Sequence, residues 1–239
     1  MRNYALTYSQ LINQALAQGF DEPSLKQLRK AYDIAVKFFD GFYRADGTPF
    51  LCHLVRTASI VLAEKQTAEL TNAALLHSAY LFKAPVSRRA YLKDQLGDSV
   101  EALVSGYTDF PWRQEKAVQT HLEKLKDYSL KERQLLILRL ANELEDHLDD
   151  AMVYRGAFPY AGWISSSGEM IVELARQMKL KELALELETV FKATLLRKLP
   201  ETFKRHCRDA HELPEHRRNR LGLAGRVGAK IKRWTKKLA

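Results

Sequence analysis

The sequence predicts an all-helical protein with a basic C-terminal tail. Apolar residues recur at intervals of three and four along most of the chain, and no stretch keeps a two-residue alternation over the length of a strand. Residues that favour helix starts precede several apolar runs, as at Asp21 or Ser24, at Asp98 and at Ser129. Together these observations predict helices throughout and no sheet.

Ten helices are expected from the apolar periodicity, with ends placed to within about two to four residues. Ser129 precedes Glu132 by three residues, which is the pattern of a capping box at a helix start. The stretch RADGTPF, with Asp46-Gly47 and Pro49, interrupts the periodicity and predicts a loop. The expected helices span residues 6–18, 23–43, 50–64, 68–82, 87–95, 98–106, 111–126, 130–155, 161–178 and 180–198.

Length and composition favour one cytoplasmic domain. A chain of 239 residues with 46% hydrophobic content can bury one sizeable core. No apolar run approaches the roughly 20 residues of a membrane span, and the first residues lack the pattern of a signal peptide. Cys52 and Cys207 form neither a disulfide framework nor a CxxC metal motif.

The net charge of +9 belongs to the C-terminal tail alone. Residues 197–239 contain 14 Lys and Arg against 4 Asp and Glu, which leaves residues 1–196 with a net charge of −1. We therefore divide the chain into a helical domain, residues 1–196, and a basic tail, residues 197–239.

The tail contains a predicted basic amphipathic helix within residues 217–239. Leu223, Val227, Ile231 or Trp234, and Leu238 recur at helical intervals. Such a helix can bind an anionic membrane at the inner face or an acidic groove of a partner protein, while a disordered solubilising tail is the alternative. A nucleic-acid partner is not expected, because the apolar stripe has no use on phosphates. The residues expected to make this contact are Arg226, Lys230, Ile231, Arg233, Trp234, Lys236 and Lys237.

Two histidines and an acidic run carry the chemistry of the helical domain. His53 and His77 lie in apolar runs, and LRLANELEDHLDDAM combines an apolar face with several carboxylates. Imidazoles and carboxylates from separate helices could hold Mn²⁺ or Zn²⁺. Alternatively, each histidine is a core residue hydrogen-bonded to backbone, and the acidic run is a solvated helix face.

The order of these segments resembles the hydrolase domain of RelA/SpoT-type alarmone enzymes in the HD superfamily. The resemblance runs over about residues 22–155, through RADGTPFLCHLVRTASIVL, AALLHSAYL, LGDSVEALVSGYTDF and LLILRLANELEDHL, with added helices in residues 156–196. It implies an all-helical fold, a Mn²⁺ site, and removal of the 3′-diphosphate from guanosine tetraphosphate or pentaphosphate.

Carried over position by position, the resemblance keeps the scaffold and loses the reaction. His53 and His77 fall on metal-ligand positions, whereas Ser78 and Asn142 replace the two aspartate ligands. A hydroxyl or an amide is a neutral and weaker donor to a cation. Leu81 and Phe82 occupy the place of the Glu-Asp pair that activates water.

The sequence also departs from the family pattern at the substrate-binding positions. The guanine-clamping loop survives only as Arg44-Ala45-Asp46-Gly47, and Thr108-Asp109 reverses a charge that would face phosphate. Arg44 is retained as a candidate to hold a base or phosphate, against the alternative of an ordinary surface arginine.

Two hypotheses follow for the function. The first is a pseudoenzyme without a resident cofactor that acts as a binding or regulatory module, with a nucleotide as a candidate ligand. The second is a metal-dependent phosphohydrolase that holds Mn²⁺ or Zn²⁺ with a changed ligand set, in which Asp146, one turn beyond Asn142, supplies the missing carboxylate. In that hypothesis Asp149 and Asp150 share nearly the same helix face.

Overall fold

The computed structural model describes residues 1–44, 46–81, 87–153 and 160–198. Within these residues the chain forms ten α-helices, and the only β-type pairing is an isolated bridge between Tyr43 and Pro49. The helices are α1 (Tyr8–Ala17), α2 (Glu22–Phe39), α3 (Phe50–Ala63), α4 (Ala68–Leu76), α5 (Ser87–Leu96), α6 (Asp98–Asp109), α7 (Glu115–Lys124), α8 (Leu130–His147), α9 (Tyr160–Gln177) and α10 (Lys181–Leu196).

The predicted all-helical fold is confirmed, and the helix starts follow the expected capping. The side chain of Asp21 accepts a hydrogen bond from the backbone N–H of Ser24 at 3.0 Å, which caps α2. Ser129 and Glu132 form a complete capping box at the start of α8. Local sequence therefore fixes where these helices begin.

Three helices end earlier than the periodicity predicts. Helix α2 stops at Phe39 because Asp40 is extended (ψ 139°) and Gly41 has a φ of 74°. Helix α4 stops at Leu76, and the chain then turns, with the N–H of Ala79 donating to the carbonyl of Leu76. Periodicity alone cannot detect these ends, because apolar residues continue beyond them.

The third early end separates two aspartates from the helix that precedes them. Helix α8 stops at His147, after which Leu148 is extended and Asp149 and Asp150 have φ values of 54° and 58°. Left-handed backbone at two successive residues rotates them away from the helix. The expectation that Asp149 and Asp150 share a helix face with Asp146 is therefore wrong.

Helix α8 is the central element of the domain. It contacts α3, α4, α6, α9 and α10. Leu136, Leu138, Leu140 and Leu144 are completely buried. A helix surrounded by other helices has no solvated face to offer, and this decides the environment of its carboxylates.

The remaining helices place the site residues around α8. Helices α2, α3 and α4 pack on one another, and α9 and α10 form a hairpin through residues 178–180. None of the described helices has the length and apolar character needed to cross a membrane. Phe82 and the predicted tail contacts at residues 226–237 lie outside the described residues.

Candidate functional site

The two predicted histidines come together in the core. His53 lies in α3 and is 4% exposed, and His77 follows the last residue of α4 and is 2% exposed. Their Nε2 atoms are 3.2 Å apart. The helices thus join two imidazoles that are 24 residues apart in sequence.

Hydrogen-bond geometry assigns most of the protons on these rings. His77 Nδ1 lies 2.7 Å from the carbonyl oxygen of Ala74, and His53 Nδ1 contacts the carboxylate of Glu145. Because both partners only accept hydrogen bonds, each Nδ1 carries the donated proton. This orientation is also the one in which metal-bound histidines are held.

Burial keeps the imidazole of His77 neutral. Removal from water, together with the neighbouring His53, lowers the pKa of His77 to about 3. Tyr107 from α6 contacts the His77 ring at a centroid distance of 5.0 Å and closes the pocket from the other side.

Neutral side chains occupy the two positions where the resemblance implies aspartate ligands. Ser78 is 2% exposed and Asn142 is 9% exposed. Asn142 Nδ2 donates a hydrogen bond to Asp146 Oδ2 at 3.2 Å. Leu81, at the place of the water-activating pair, is 40% exposed. The described residues at these positions supply neither an anionic ligand nor a general base.

The acidic run of α8 is buried, which corrects the expectation of a solvated face. Glu143 and Glu145 are 0% exposed and Asp146 is 2% exposed. Burying a carboxylate is costly unless a cation or several donors compensate it. The compensation comes from arginines on other parts of the chain.

Arg44 reaches from its loop into the centre of this acidic cluster. Its Nη1 donates to Glu145 at 2.6 Å and its Nη2 donates to Asp146 at 2.7 Å, while Nη1 also lies 3.4 Å from His53 Nδ1. The side chain is 3% exposed. The alternative of an ordinary surface arginine is therefore wrong.

The loop of residues 40–49 fixes the direction of Arg44. The N–H of Arg44 donates to the carbonyl of Thr48 at 2.9 Å, and the N–H of Gly47 donates back to Arg44 at 3.0 Å. Gly47 has a φ of 87°, a conformation that favours glycine. The tight turn leaves the guanidinium pointing inward.

Two further arginines complete the pairing. Arg56 in α3 donates to Glu145 Oε1 through Nε at 3.1 Å and through Nη2 at 3.0 Å, and it also contacts the exposed Asp149. Arg113, which is partly exposed, donates to Asp146 Oδ2 at 2.7 Å. Three arginines thus face three buried carboxylates. We call this set the arginine–carboxylate cluster: Arg44, Arg56, Arg113, Glu143, Glu145 and Asp146.

Glu143 is held mainly by tryptophans. Trp112 Nε1 donates to Oε2 and Trp163 Nε1 donates to Oε1, both at 2.8 Å. Arg113 lies 3.4 Å away, on the Oε1 side. A carboxylate with this many donors is satisfied without any ligand.

The pKa values follow the same balance. Burial raises the pKa of Glu145, but the positive charges of Arg44 and Arg56 and the bond to His53 lower it more, to about 2. Burial also raises the pKa of Glu143, but Arg113 and His147 lower it more, to about 2. Both groups are carboxylates at neutral pH.

The cluster does not fit a divalent cation held as the resemblance implies. Such a cation needs anionic oxygens beside the imidazoles. Ligand-type atoms of His53, Glu145 and Asp146 do lie within 4.8 Å of one another, but His77 is not in that group. Arg44 already binds both carboxylates, so a cation there has to displace a guanidinium that never loses its charge. The histidines suit a metal, whereas the acidic half does not.

Sequence reasoning found the histidines and missed most of the cluster. It did not single out Glu143, Glu145, Arg56, Arg113, Trp112 or Trp163. One usable signal was the run LLILRLA at residues 135–141, whose apolar residues fall on nearly every side of a helix, as is typical of a buried helix. The pairing itself leaves no local pattern, because Arg44 lies 101 residues from Glu145.

An all-helical domain that brings two histidines together beside an acidic helix is the architecture that the HD-type resemblance implies. Comparisons with known proteins agree. Residues 41–111 match a family described as a domain of unknown function (DUF6817). The chain is 27% identical over 135 residues to the bifunctional (p)ppGpp synthase/hydrolase SpoT of Escherichia coli K12, and equally to a guanosine-3′,5′-bis(diphosphate) 3′-pyrophosphohydrolase of Escherichia coli O157:H7.

These relatives are much longer than the matched region. The match covers 55% of this chain and 19% of each relative. A solved structure of a metazoan ortholog of SpoT that hydrolyses ppGpp aligns with a TM-score of 0.52 and 18% identity, over 71% of this chain and 97% of that chain. The chain thus has a fold similar to that of the SpoT ortholog, and the predicted resemblance to RelA/SpoT-type hydrolases is confirmed.

Proposed function

We propose that the protein is a catalytically degenerate HD-type domain that acts as a binding or regulatory module. The observation that carries this proposal is the position of Arg44, whose guanidinium lies between Glu145 and Asp146 and 3.4 Å from His53 Nδ1. The single positive charge of Arg44 therefore pairs with the carboxylates that a divalent cation would need as ligands.

The surroundings of Arg44 support the same conclusion. Ser78 and Asn142 are neutral, and the buried carboxylates are matched by arginines. Leu81 cannot accept a proton from water. A nucleotide remains the candidate ligand of such a module, although Arg44 would have to leave the cluster to contact it.

The direct test is metal content together with hydrolysis. We expect no stoichiometric Mn or Zn in the purified full-length protein, and no release of pyrophosphate from guanosine tetraphosphate with Mn²⁺ present beyond that of His77→Ala. One Mn or Zn per chain, with hydrolysis that His77→Ala abolishes, would contradict the proposal. An active (p)ppGpp hydrolase assayed in parallel shows that the conditions support turnover.

A matched variant tests the role of Arg44 more sharply. Because Arg44 and a cation compete for Glu145 and Asp146, Arg44→Ala is the variant in which metal binding should appear. We expect 1 mM Mn²⁺ to raise the Tm of Arg44→Ala and to leave that of the wild type unchanged, since a ligand stabilises only the state that binds it. An equal rise in both proteins would show that Arg44 does not exclude the metal.

The second candidate function is a metal-dependent phosphohydrolase with Mn²⁺ or Zn²⁺ and a changed ligand set. The observation that favours it is the orientation of His53 and His77, whose Nε2 atoms face one another at 3.2 Å. Screening nucleotides with Mn²⁺ tests it, using Asp146→Asn, which keeps the side-chain shape. Activity unchanged in Asp146→Asn would refute the participation of Asp146.

We further infer that the C-terminal part of the tail, residues 217–239, recruits the protein to an anionic membrane surface or to an acidic partner. Nine Lys and Arg and no Asp or Glu occur in this segment, and each basic residue near an anionic bilayer contributes about 1 kcal/mol. Flotation with phosphatidylglycerol vesicles tests the membrane version. Equal flotation of the full chain and of a chain ending at Arg208 would contradict it.

A further inference from the structure

A cleft of about 550 Å³ lies between α9 and α10, and neither His53 nor His77 lines it. Ile164, Val172 and Phe191 form part of its floor. Gly168 faces α10, because a Cβ at this position would lie 3.4 Å from the ring of Phe191 and 3.1 Å from Ile164 of its own helix. The helices run antiparallel here, since Gly168 faces Phe191 and Arg176 pairs with Glu188.

Apolar side chains are exposed at the end of the cleft where α10 stops. Leu195 lines the cleft and is 45% exposed, and the adjacent Leu196 is 80% exposed. The segment outside the described structure begins at residue 199, three residues after the helix ends. The cleft therefore opens next to the start of the tail.

Two carboxylates on α9 line the cleft without a described cation. Glu169 and Glu173 lie one helical turn apart, and no ion pair joins either to another described residue. Like charges at this spacing repel one another on a helix. Glu188 on the opposite wall differs, because Arg176 and Lys192 both bind it, at 2.8 and 2.7 Å.

The tail has the complementary properties. Its predicted helix presents apolar residues at 223, 227, 231 or 234, and 238, and the other positions are rich in Lys and Arg. The cleft extends from Ile164 to Arg176 on α9, a helical length of about 18 Å. A helix of roughly 12 residues has that length, and residues 226–238 provide it.

We propose that the C-terminal segment, residues 217–239, binds in the α9/α10 cleft of its own chain. Its apolar stripe covers the exposed Leu195 and packs on the cleft floor at Ile164 and Val172, and its Lys and Arg side chains pair with Glu169 and Glu173. The 18 residues between 199 and 216 are long enough to reach either end of the cleft. The apolar stripe cannot then contact a membrane at the same time.

The connection within one chain makes such binding effective even if the contact is weak. A short tether holds the segment at a local concentration in the millimolar range. A tail that is bound about 90% of the time has its affinity for vesicles reduced about tenfold, because only the unbound fraction can attach to them. The cleft thereby regulates membrane recruitment by the tail.

Amide hydrogen exchange of the full-length protein tests the binding without reference to membranes. We expect amides of residues 223–238 to exchange about tenfold more slowly than unprotected amides. The variant Glu169→Lys with Glu173→Lys should lose this protection. Leu195→Gln, which alters an exposed side chain, should reduce it and serves as a second variant if the first is unstable.

A matched control carries the same change of charge elsewhere. Asp94→Lys with Glu123→Lys alters two exposed carboxylates on α5 and α7, and it should retain the protection. In flotation with phosphatidylglycerol vesicles, the cleft variant should bind about tenfold more tightly than this control. Circular dichroism checks that both variants keep their helices.

Three results would overturn the proposal. They are rapid exchange of residues 223–238 in the wild type, equal protection in the cleft variant, and protection that disappears on dilution, which would indicate a second copy as the occupant. Vesicle binding that is absent from every variant refutes the membrane role of the tail alone, because the exchange experiment contains no lipid.

Discussion

The histidine pair and the arginine–carboxylate cluster are neighbouring halves of one site with opposite relations to a metal. His53 and His77 face one another as metal ligands do, and Glu145 and Asp146 are bound to arginines. A neutral imidazole can be buried without a counter-charge, whereas a buried carboxylate requires a positive charge. In the proposed function, the acidic half therefore decides whether this site can hold a cation.

Removal of Arg44 is expected to give the largest effect on stability. Arg44→Ala leaves Glu145 and Asp146 short of a cation in a buried place, which costs about 3–5 kcal/mol of the free energy of unfolding. Urea unfolding monitored by circular dichroism measures it. Arg44→Lys keeps the charge without the two-pronged geometry and should lose less.

A small loss in the free energy of unfolding for Arg44→Ala would contradict the role given to its guanidinium. If this variant unfolds at the same urea concentration as the wild type, the guanidinium does not neutralise the carboxylates. Asp146 and Glu145 would then remain available to a ligand, and the proposed degeneracy of the site would lose its main support.

Loss of one tryptophan donor should have an intermediate effect. Trp163→Phe removes the 2.8 Å hydrogen bond to Glu143 and leaves a buried acceptor with fewer donors, at a cost of about 1–3 kcal/mol. Trp112→Phe removes the matching bond to the other oxygen and is the natural companion variant. Unchanged stability in both would mean that Arg113 alone satisfies Glu143.

The histidine pair and the buried carboxylates should lose their contributions to stability in different pH ranges. The pKa of His77 is lowered to about 3, so the unfolded chain binds a proton below about pH 6.5 that the folded chain does not bind. Its contribution to stability is complete above pH 6.5 and is lost as the pH falls towards 3, with a slope of up to about 1.4 kcal/mol per pH unit.

The carboxylates contribute at lower pH. Glu143 and Glu145 have pKa values lowered to about 2, so their stabilisation is complete above the unfolded value of about 4.5 and is lost as the pH falls through 2. Urea unfolding between pH 7 and 4.5 therefore reports His77 together with His121, whose pKa burial also lowers. His77→Gln should flatten that slope, and an unaltered slope would assign it to another group.

The sequence predicted the order of the helices and the two histidines, but not the cluster. Helix starts were accessible because capping residues such as Ser129 act on their own turn. The burial of Glu145 was not, because it depends on Arg44 and Arg56 from distant segments. An isolated acidic run is normally solvated, and only the central position of α8 reverses that expectation.

The smallest expected effect is that of an exposed ion pair, whose response to salt differs from that of the buried pairs. Arg29 donates to Asp33 at 2.9 Å, but the two side chains are 58% and 53% exposed. Water and salt screen such a pair, whereas the buried pairs of Arg44 are screened much less. Arg29→Ala should therefore leave the urea midpoint unchanged within error at about 0.5 M NaCl, where the Debye length is only about 4 Å. The deficit of Arg44→Ala should persist from about 0.05 to about 0.5 M NaCl. A deficit that disappears with salt would place the Arg44 pairs in contact with solvent.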